Sequence, residues 1–361
     1  MRSGFRKELT IHASRVGVCA LCAGALPALV ACRTTPRPIF EEVLPAIVWP
    51  PAPQPARIRY VGELRTSGDL KPVRRPLDGI GQLFLGKRAP APLYGPRAVV
   101  CTKDGHRVWV ADPGGRCMHL FNLDRRTYLR VDRVGGNPLL SPVGVCTGPP
   151  GSIYVCDSEQ SAVYRLGDQN GELLDVLRIP EELQRPAAIH YDEKAEELFV
   201  VDVTAHDVKI LSPAGGLLRV VGRRGGAPGE FNFPSAIAGD GEKVWIADSG
   251  NHRVQAISRS GEPLVSFGQA GDAPGDLALP KSVALDPDGH VFVVDGRFEN
   301  IQIFQPDGRL LLFFGEEGTG PGQFWLPGGI FIEPTGRIWV CDLYNRRLQV
   351  FQYVRESEGA P

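Results

Sequence analysis

The chain has 361 residues with a formal net charge of −1, so it lacks the basic excess that nucleic-acid binding demands. Hydrophobic residues make up 43%, enough to build a large core and to exclude wholesale disorder. With 43 glycines and 32 prolines, about a fifth of the chain against roughly an eighth on average, turns are dense and a helical bundle is excluded.

Residues 1–31 read as an address. Arg2, Arg6, Lys7 and Arg15 form a basic start, and the apolar run Val16–Ala31 is short for a membrane span and interrupted by Pro27. The ending Leu29-Val30-Ala31-Cys32 resembles a bacterial lipoprotein signal. That resemblance implies lipidation of Cys32, export, and a soluble body tethered to the periplasmic or outer-membrane face; Arg33, in place of an Asp, points to the outer membrane. Cys19 and Cys22 leave with the signal. Cys101, Cys117, Cys146, Cys156 and Cys341 remain, an odd number with no metal-binding spacing. The exported compartment would allow pairs among them, and Cys156 and Cys341 read as small buried apolar residues. Residues 32–56 read as a Pro-rich linker, a semi-rigid spacer holding the body off the membrane.

A short string recurs six times: Trp109-Val110-Ala111-Asp112, Tyr154-Val155-Cys156-Asp157, Phe199-Val200-Val201-Asp202, Trp245-Ile246-Ala247-Asp248, Phe292-Val293-Val294-Asp295 and Trp339-Val340-Cys341-Asp342. The aspartates stand 45, 45, 46, 47 and 47 residues apart, and a proline lies 14 to 16 residues before each: Pro96, Pro142, Pro186, Pro234, Pro280 and Pro327. The fifth repeat splits into strands at Lys281–Leu285, His290–Val294, Asn300–Gln305 and Leu310–Phe314, with Asp-Gly turns between. Four short strands per repeat, with second strands that are continuous apolar runs, predict an all-β, six-bladed propeller of four-stranded antiparallel blades over residues 57–353. The last repeat ends after its third strand at Leu348–Tyr353. Ile58-Arg59-Tyr60-Val61-Gly62 matches Leu218-Arg219-Val220-Val221-Gly222, a fourth strand assigned to blade four, so residues 57–64 are expected to supply the outer strand of blade six. Residues 65–92 form an excursion with a short amphipathic helix, and 354–361 form a tail. The Gly-rich stretches after Gly222, Gly268 and Gly315 read as blade connectors rather than phosphate cradles, since no helix follows.

The segments Pro234–Ile257 and Pro327–Phe351 resemble NHL repeats, through Asp248-Ser249-Gly250-Asn251-His252-Arg253-Val254-Gln255 and Asp342-Leu343-Tyr344-Asn345-Arg346-Arg347-Leu348-Gln349. The resemblance is looser in blades one to three; five residues after the Asp, blades two and three have Ala162 and Asp207, and blade five has Asn300. The Asp248/Arg253 and Asp342/Arg347 pairs are expected to bond within their blades. The resemblance implies a six-bladed propeller but no one function, because NHL propellers include protein-binding modules, RNA-binding modules and a zinc- and calcium-dependent lyase.

The loop before strand one and the loop after strand two share one end of a blade. Arg97, Val143, Ala187, Ser235, Lys281 and Gly328 should ring the channel mouth there, beside Arg116, His206, Asn251, His252, Arg297, Tyr344 and Arg346. Two inner cations with basic neighbours make this mouth the candidate site for an anionic ligand or an acidic protein partner; Phe84, Tyr94, Trp325 and Tyr344 are candidate contacts. No metal or cofactor is expected on this reading. The alternative is a metal-dependent lyase or lactonase-type enzyme with zinc or calcium at the mouth. That alternative needs convergent ligands, whereas His106, His119, His190, His206, His252 and His290 are scattered, with His190 the one that could reach the channel. Asp104, Asp192, Asp240, Asp286 and Asp288 are explained by turn chemistry. The sequence therefore reads as an exported, lipid-anchored, non-enzymatic scaffold, monomeric, with no nucleic-acid partner.

Overall fold

The computed structural model describes residues 37–72, 89–179 and 183–355. Cys32 and the signal, Phe84, the core of the 65–92 excursion and the end of the tail lie outside the described residues. Five antiparallel sheets of four strands follow one another along the chain, and a sixth sheet, with an added fifth strand, joins the two ends of the described fold. Blade one is Ala98–Cys101, Arg107–Asp112, Cys117–Asn122 and Thr127–Val131. Blade two is Pro142–Thr147, Ser152–Asp157, Ala162–Gly167 and Leu173–Val176. Blade three is Pro186–Asp192, Glu197–Asp202, Asp207–Leu211 and Leu217–Val221. Blade four is Pro234–Gly239, Lys243–Asp248, Arg253–Ser258 and Pro263–Phe267. Blade five is Pro280–Leu285, Val291–Asp295, Asn300–Phe304 and Leu310–Phe314, within a residue of the strands read from the sequence. Blade six has Pro327–Ile332, Arg337–Asp342 and Arg347–Tyr353 from the C-terminal end of the chain. The strand Leu217–Val221, compared above with the closing segment, thus ends blade three rather than blade four.

Stacking blade on blade buries both faces of each second strand, which is why these strands read as unbroken apolar runs. Trp109, Trp245 and Trp339 of those strands are among the largest fully buried side chains, and Cys156 and Cys341, also in second strands, are fully buried. All five described cysteines are free and buried. Gly222, Gly268 and Gly315 end fourth strands at φ near +90°. A Cβ at these positions would strike Phe231, Leu277 and Phe324, the side chains with which the connectors plug the blade interfaces.

Closure comes from the N-terminal side. Ile58–Leu64 pairs antiparallel with Arg347–Tyr353, from Ile58↔Tyr353 to Leu64↔Leu348. The strand Val48–Trp49 then adds outside it as a fifth strand. Residues 37–56 therefore do not stand free as a spacer, which corrects the linker boundary drawn from prolines alone. Apolar residues interleave with those prolines and give the extended segment a side to bury: Phe40 meets Trp339 edge-on at 6.1 Å, and Trp49 packs on Phe314 and Phe351 at 5.7 and 5.8 Å. A chain beginning at Arg57 keeps the closing strand but loses these contacts. It should melt below a chain beginning at Arg37 in a thermal scan, and equal melting would show that residues 37–56 add nothing to the fold.

The six recurring aspartates have a second role that the sequence pattern did not expose. Each is fully buried. Each carboxylate reaches back 16 to 18 residues to backbone N–H groups of the loop before its own first strand. Asp112 accepts from Tyr94 and Gly95, and Asp157 from Leu140 and Ser141. Asp202 accepts from Gln184 and Arg185, Asp248 from Asn232, Asp295 from Ala278 and Leu279, and Asp342 from Trp325, at 2.6–3.1 Å. The expected pairs with Arg253 and Arg347 form at 2.9 and 2.7 Å. Two residues further on, on the same strand face, His119 at 3.1 Å and Lys209 at 3.4 Å serve Asp112 and Asp202 instead. Substituting Asp248→Asn leaves the Arg253 charge without its counterion in a largely buried setting. A loss of about 3–5 kcal/mol in urea unfolding is expected, and a loss below about 1 kcal/mol would contradict the clamp.

Candidate functional site

Clamping the loop to the Asp decides how strand one starts. The opening Pro pairs with the Asp, and one extra residue is then squeezed in before regular pairing resumes. Pro280 faces Asp295 while Ser282 faces Val294, leaving Lys281 bulged out. The same slip isolates Val143, Ala187 and Ser235 in blades two to four, and Gly328 with Gly329 in blade six. Bulges re-aim side chains. Here they turn these positions toward the axis, together with Arg97, the residue before the first strand of blade one. All six line one central cavity of about 80 Å³, walled otherwise by the two residues that follow in each strand.

Arg97 and Lys281 are the cations of this wall. Both are half-buried, and among the described residues neither makes a hydrogen bond or ion pair with a carboxylate. Burial pulls the Arg97 guanidinium below its ordinary pKa, with the Arg185 charge adding to the effect. Burial likewise lowers the Lys281 ammonium, and the positive charge of Arg97 lowers it further. The acid within electrostatic reach of Lys281 is Glu299, which accepts the Leu326 N–H at 2.5 Å and whose pKa burial raises. The remaining polar wall residues are engaged. Ser235 Oγ donates to the carbonyl region of Pro280 and Lys281 at 3.2 and 3.1 Å, and Ser282 Oγ accepts from Ile330 N–H at 3.3 Å.

The other sequence candidates fall into two groups. Arg116, Arg297, Tyr344 and Arg346 are exposed on the mouth-side loops. Tyr344, 54% exposed, meets Trp325, 50% exposed, edge-to-face at 5.5 Å. Asn251 and His252 are instead bound into the scaffold. Asn251 Nδ2 donates to Gly225 O and Asp248 Oδ2, both at 2.8 Å, and His252 Nδ1 lies 2.9 Å from Ala278 O of the next blade. The residue four after each Asp is left-handed in all six blades with φ of 50–60°, and in blades two to five its side chain fastens one blade to the next. Ser161 donates to Gln184 O, His206 Nδ1 accepts from Phe233 N–H, and Glu299 accepts from Leu326 N–H, each joining one blade to the next.

His190 does not reach the channel. It packs under Gly239 at the interface of blades three and four, near Phe199, and burial lowers its pKa to about 4. Asp286, Asp288 and His290 place ligand atoms within 4.8 Å of one another, but in a strand-one-to-two turn at the end opposite the mouth. Asp286 already caps the N–H groups of Asp288 and His290 and bonds His290 Nδ1 at 2.8 Å, the turn chemistry read from the sequence. The two ends differ in charge. The inner mouth loops carry Arg97, Arg116, Arg185, Lys281, Arg297 and Arg346 against Glu159 and Glu299, whereas the far turns are rich in acids such as Asp104, Glu193, Glu196, Asp240 and Glu242.

No protein-family model matches the chain, and no curated protein matches it. Solved structures do. A catalytically inactive virginiamycin B lyase from Staphylococcus aureus, solved with quinupristin, shares 16% identity over 75% of this chain and 86% of its own, with a TM-score of 0.55. A protein of unknown function from Bacteroides thetaiotaomicron shares 17% identity over 73% of this chain and 70% of its own, with a TM-score of 0.57. Kuenenia stuttgartiensis hydrazine synthase shares 10% identity over 75% of this chain and 99% of its own, with a TM-score of 0.52. At these identities the likeness is one of fold alone, and the lyase and the synthase differ in their described activities.

Proposed function

We propose that this chain is an exported, lipid-anchored propeller of NHL type that acts as a non-enzymatic binding module at the cell envelope, taking an anionic group of a protein partner or ligand at its channel mouth. The observation that carries this reading is the pair Arg97 and Lys281. Two cations are held partly out of water in one small cavity, each without a bonded carboxylate. Like charges so placed repel, and an anion from outside relieves both the repulsion and the missing counterion. Exposed arginines around the mouth add a positive field that attracts such a partner.

The wall chemistry supports binding over catalysis. Its titratable side chains are Arg97 and Lys281, and its serines bond backbone groups of neighbouring blades rather than a general base. A lyase or lactonase-type site at the mouth would need His, Asp or Glu ligands there, and the wall supplies none among the described residues. Export and anchoring rest on the basic start, the apolar run and Ala31-Cys32.

The test uses the mature protein with and without Arg97→Gln and Lys281→Gln. At constant ionic strength, replacing chloride by phosphate or acetate should stabilise the parent, by about 1.4 kcal/mol at tenfold excess over Kd. The double variant should lose that response while melting no lower in chloride. Equal stabilisation of both proteins would remove the mouth as the site. In cells, Cys32→Ala should shift the protein from the membrane fraction to the soluble fraction; unchanged partition would remove the anchor.

A further inference from the structure

Lys281 in blade five and Arg97 in blade one flank blade six, whose inner strand lies against both of theirs. Blade six puts Gly328 and Gly329 at its bulge. The two glycines have different physical grounds. A Cβ at Gly329 would meet the Arg97 carbonyl oxygen at 2.5 Å, so the approach of blades six and one demands glycine there. A Cβ at Gly328 would sit 3.4 Å from the same oxygen, an ordinary contact, and its φ lies outside the left-handed region. A side chain could therefore stand at 328. Its absence leaves the cavity wall open at 328, on the blade between those that bear Arg97 and Lys281.

The surroundings of the gap limit what fills it. The cavity of about 80 Å³ is roughly half the ~150 Å³ that accommodates a benzene ring. A charged group can enter only on a narrow stem, and the rest of the ligand must lie outside. A Glu or Asp carboxylate sits on such a stem, whereas a sugar acid carries its carboxylate directly on a ring. Of the two cations in this wall, Arg97 offers a planar fork and Lys281 a point charge, which together suit a flat, two-oxygen acid. Outside the gap, the Lys281 stem crosses Gly296 beside Leu326. The neighbouring Trp325 presents its exposed ring with Tyr344 on the same blade. Exposed aromatics next to a charged pocket are what an extended peptide buries on docking.

Building on the anion-binding reading above, we infer that the gap over Gly328, in the wall that bears Arg97 and Lys281, is a carboxylate subsite, filled by a Glu or Asp side chain of an acidic peptide segment lying across Trp325 and Tyr344.

Fluorescence anisotropy with a labelled polyglutamate peptide tests this, with acetate, inorganic phosphate and polygalacturonate as competitors. Gly328→Val fills the gap but keeps both cations. It should weaken polyglutamate binding at least tenfold with the melting temperature unchanged. Gly328→Ala should weaken it at least threefold, and it carries the test if the valine variant does not fold. Trp325→Ala should weaken polyglutamate several-fold while leaving the acetate competition constant of the remaining binding unchanged. Full-strength binding by both Gly328 variants, with loss only in the Arg97→Gln/Lys281→Gln protein, would overturn the subsite while the mouth reading stands. Full-strength binding by that double variant as well would overturn both. Phosphate competing better than acetate, or polygalacturonate displacing polyglutamate at lower concentration than acetate does per carboxylate, would overturn a peptide carboxylate as the occupant.

Discussion

A carboxylate removed entirely from water is costly unless its oxygens are saturated by donors. This propeller repeats that situation six times. Asp112, Asp157, Asp202, Asp248, Asp295 and Asp342 are all inaccessible to solvent, and each draws N–H groups from the loop that opens its own sheet, which would otherwise be free to start that sheet anywhere. The clamp fixes the opening proline against the Asp. The surplus residue after the proline then has no ladder partner and turns into the channel. The chemistry of the mouth is thus set one residue downstream of a purely structural contact. That is why Arg97 and Lys281 can be held in a partly desolvated wall with no bonded carboxylate among the described residues: the backbone that bears them is fastened by charge-assisted bonds worth about 1.5–3 kcal/mol each.

The blades meet the same demand with different donors. Blades four and six use arginine, and each adds a glutamine two residues on, Gln255 at 3.2 Å and Gln349 at 3.0 Å. Blade three uses Lys209, and blade one uses His119, whose other ring nitrogen bonds Tyr128 Oη at 2.7 Å. Blade two uses no cation: Asp157 takes N–H groups from Glu159 and Gln160 and the Gln160 side-chain amide. Blade six ties the clamp into ring closure as well, because Arg347 bonds Glu63 of the closing strand at 2.8 Å in addition to Asp342.

The legible and illegible parts of this molecule divide along physical lines. Blade number, strand limits and the closing strand follow from side-chain patterns with a fixed period, and side chains are what a sequence records. The clamp does not, because its donors are backbone N–H groups at Tyr94, Leu140, Gln184, Asn232, Ala278 and Trp325, residues with nothing in common. The constant spacing from proline to Asp was the available trace of it. Asn251 and His252 follow the Asp in a polar loop, which in sequence points to the mouth; their bonds to Gly225 of the connector and Ala278 of the next blade depend on how the blades dock. In the sequence, His190 is the histidine that could reach the channel, but it faces Gly239, where the missing side chain makes room for its ring. The stretch 37–56 was read from its prolines, although Ile39, Phe40, Val43, Ile47 and Trp49 already supplied an apolar side.

The closing seam has a mechanical side. The chain enters the described fold at residue 37 and meets blade six three times before leaving it, through Phe40, through Val48–Trp49 and through Ile58–Leu64. A pull applied through the N-terminus loads these contacts in that order. The outer two hold only a short strand and two aromatic rings, and releasing them would free some twenty residues while the closing strand stays paired. Only a larger force reaches Glu63 and the bond to Arg347 that keeps blade six whole. Force on the N-terminal side of the fold is thus taken up by these outer contacts before it reaches the seam.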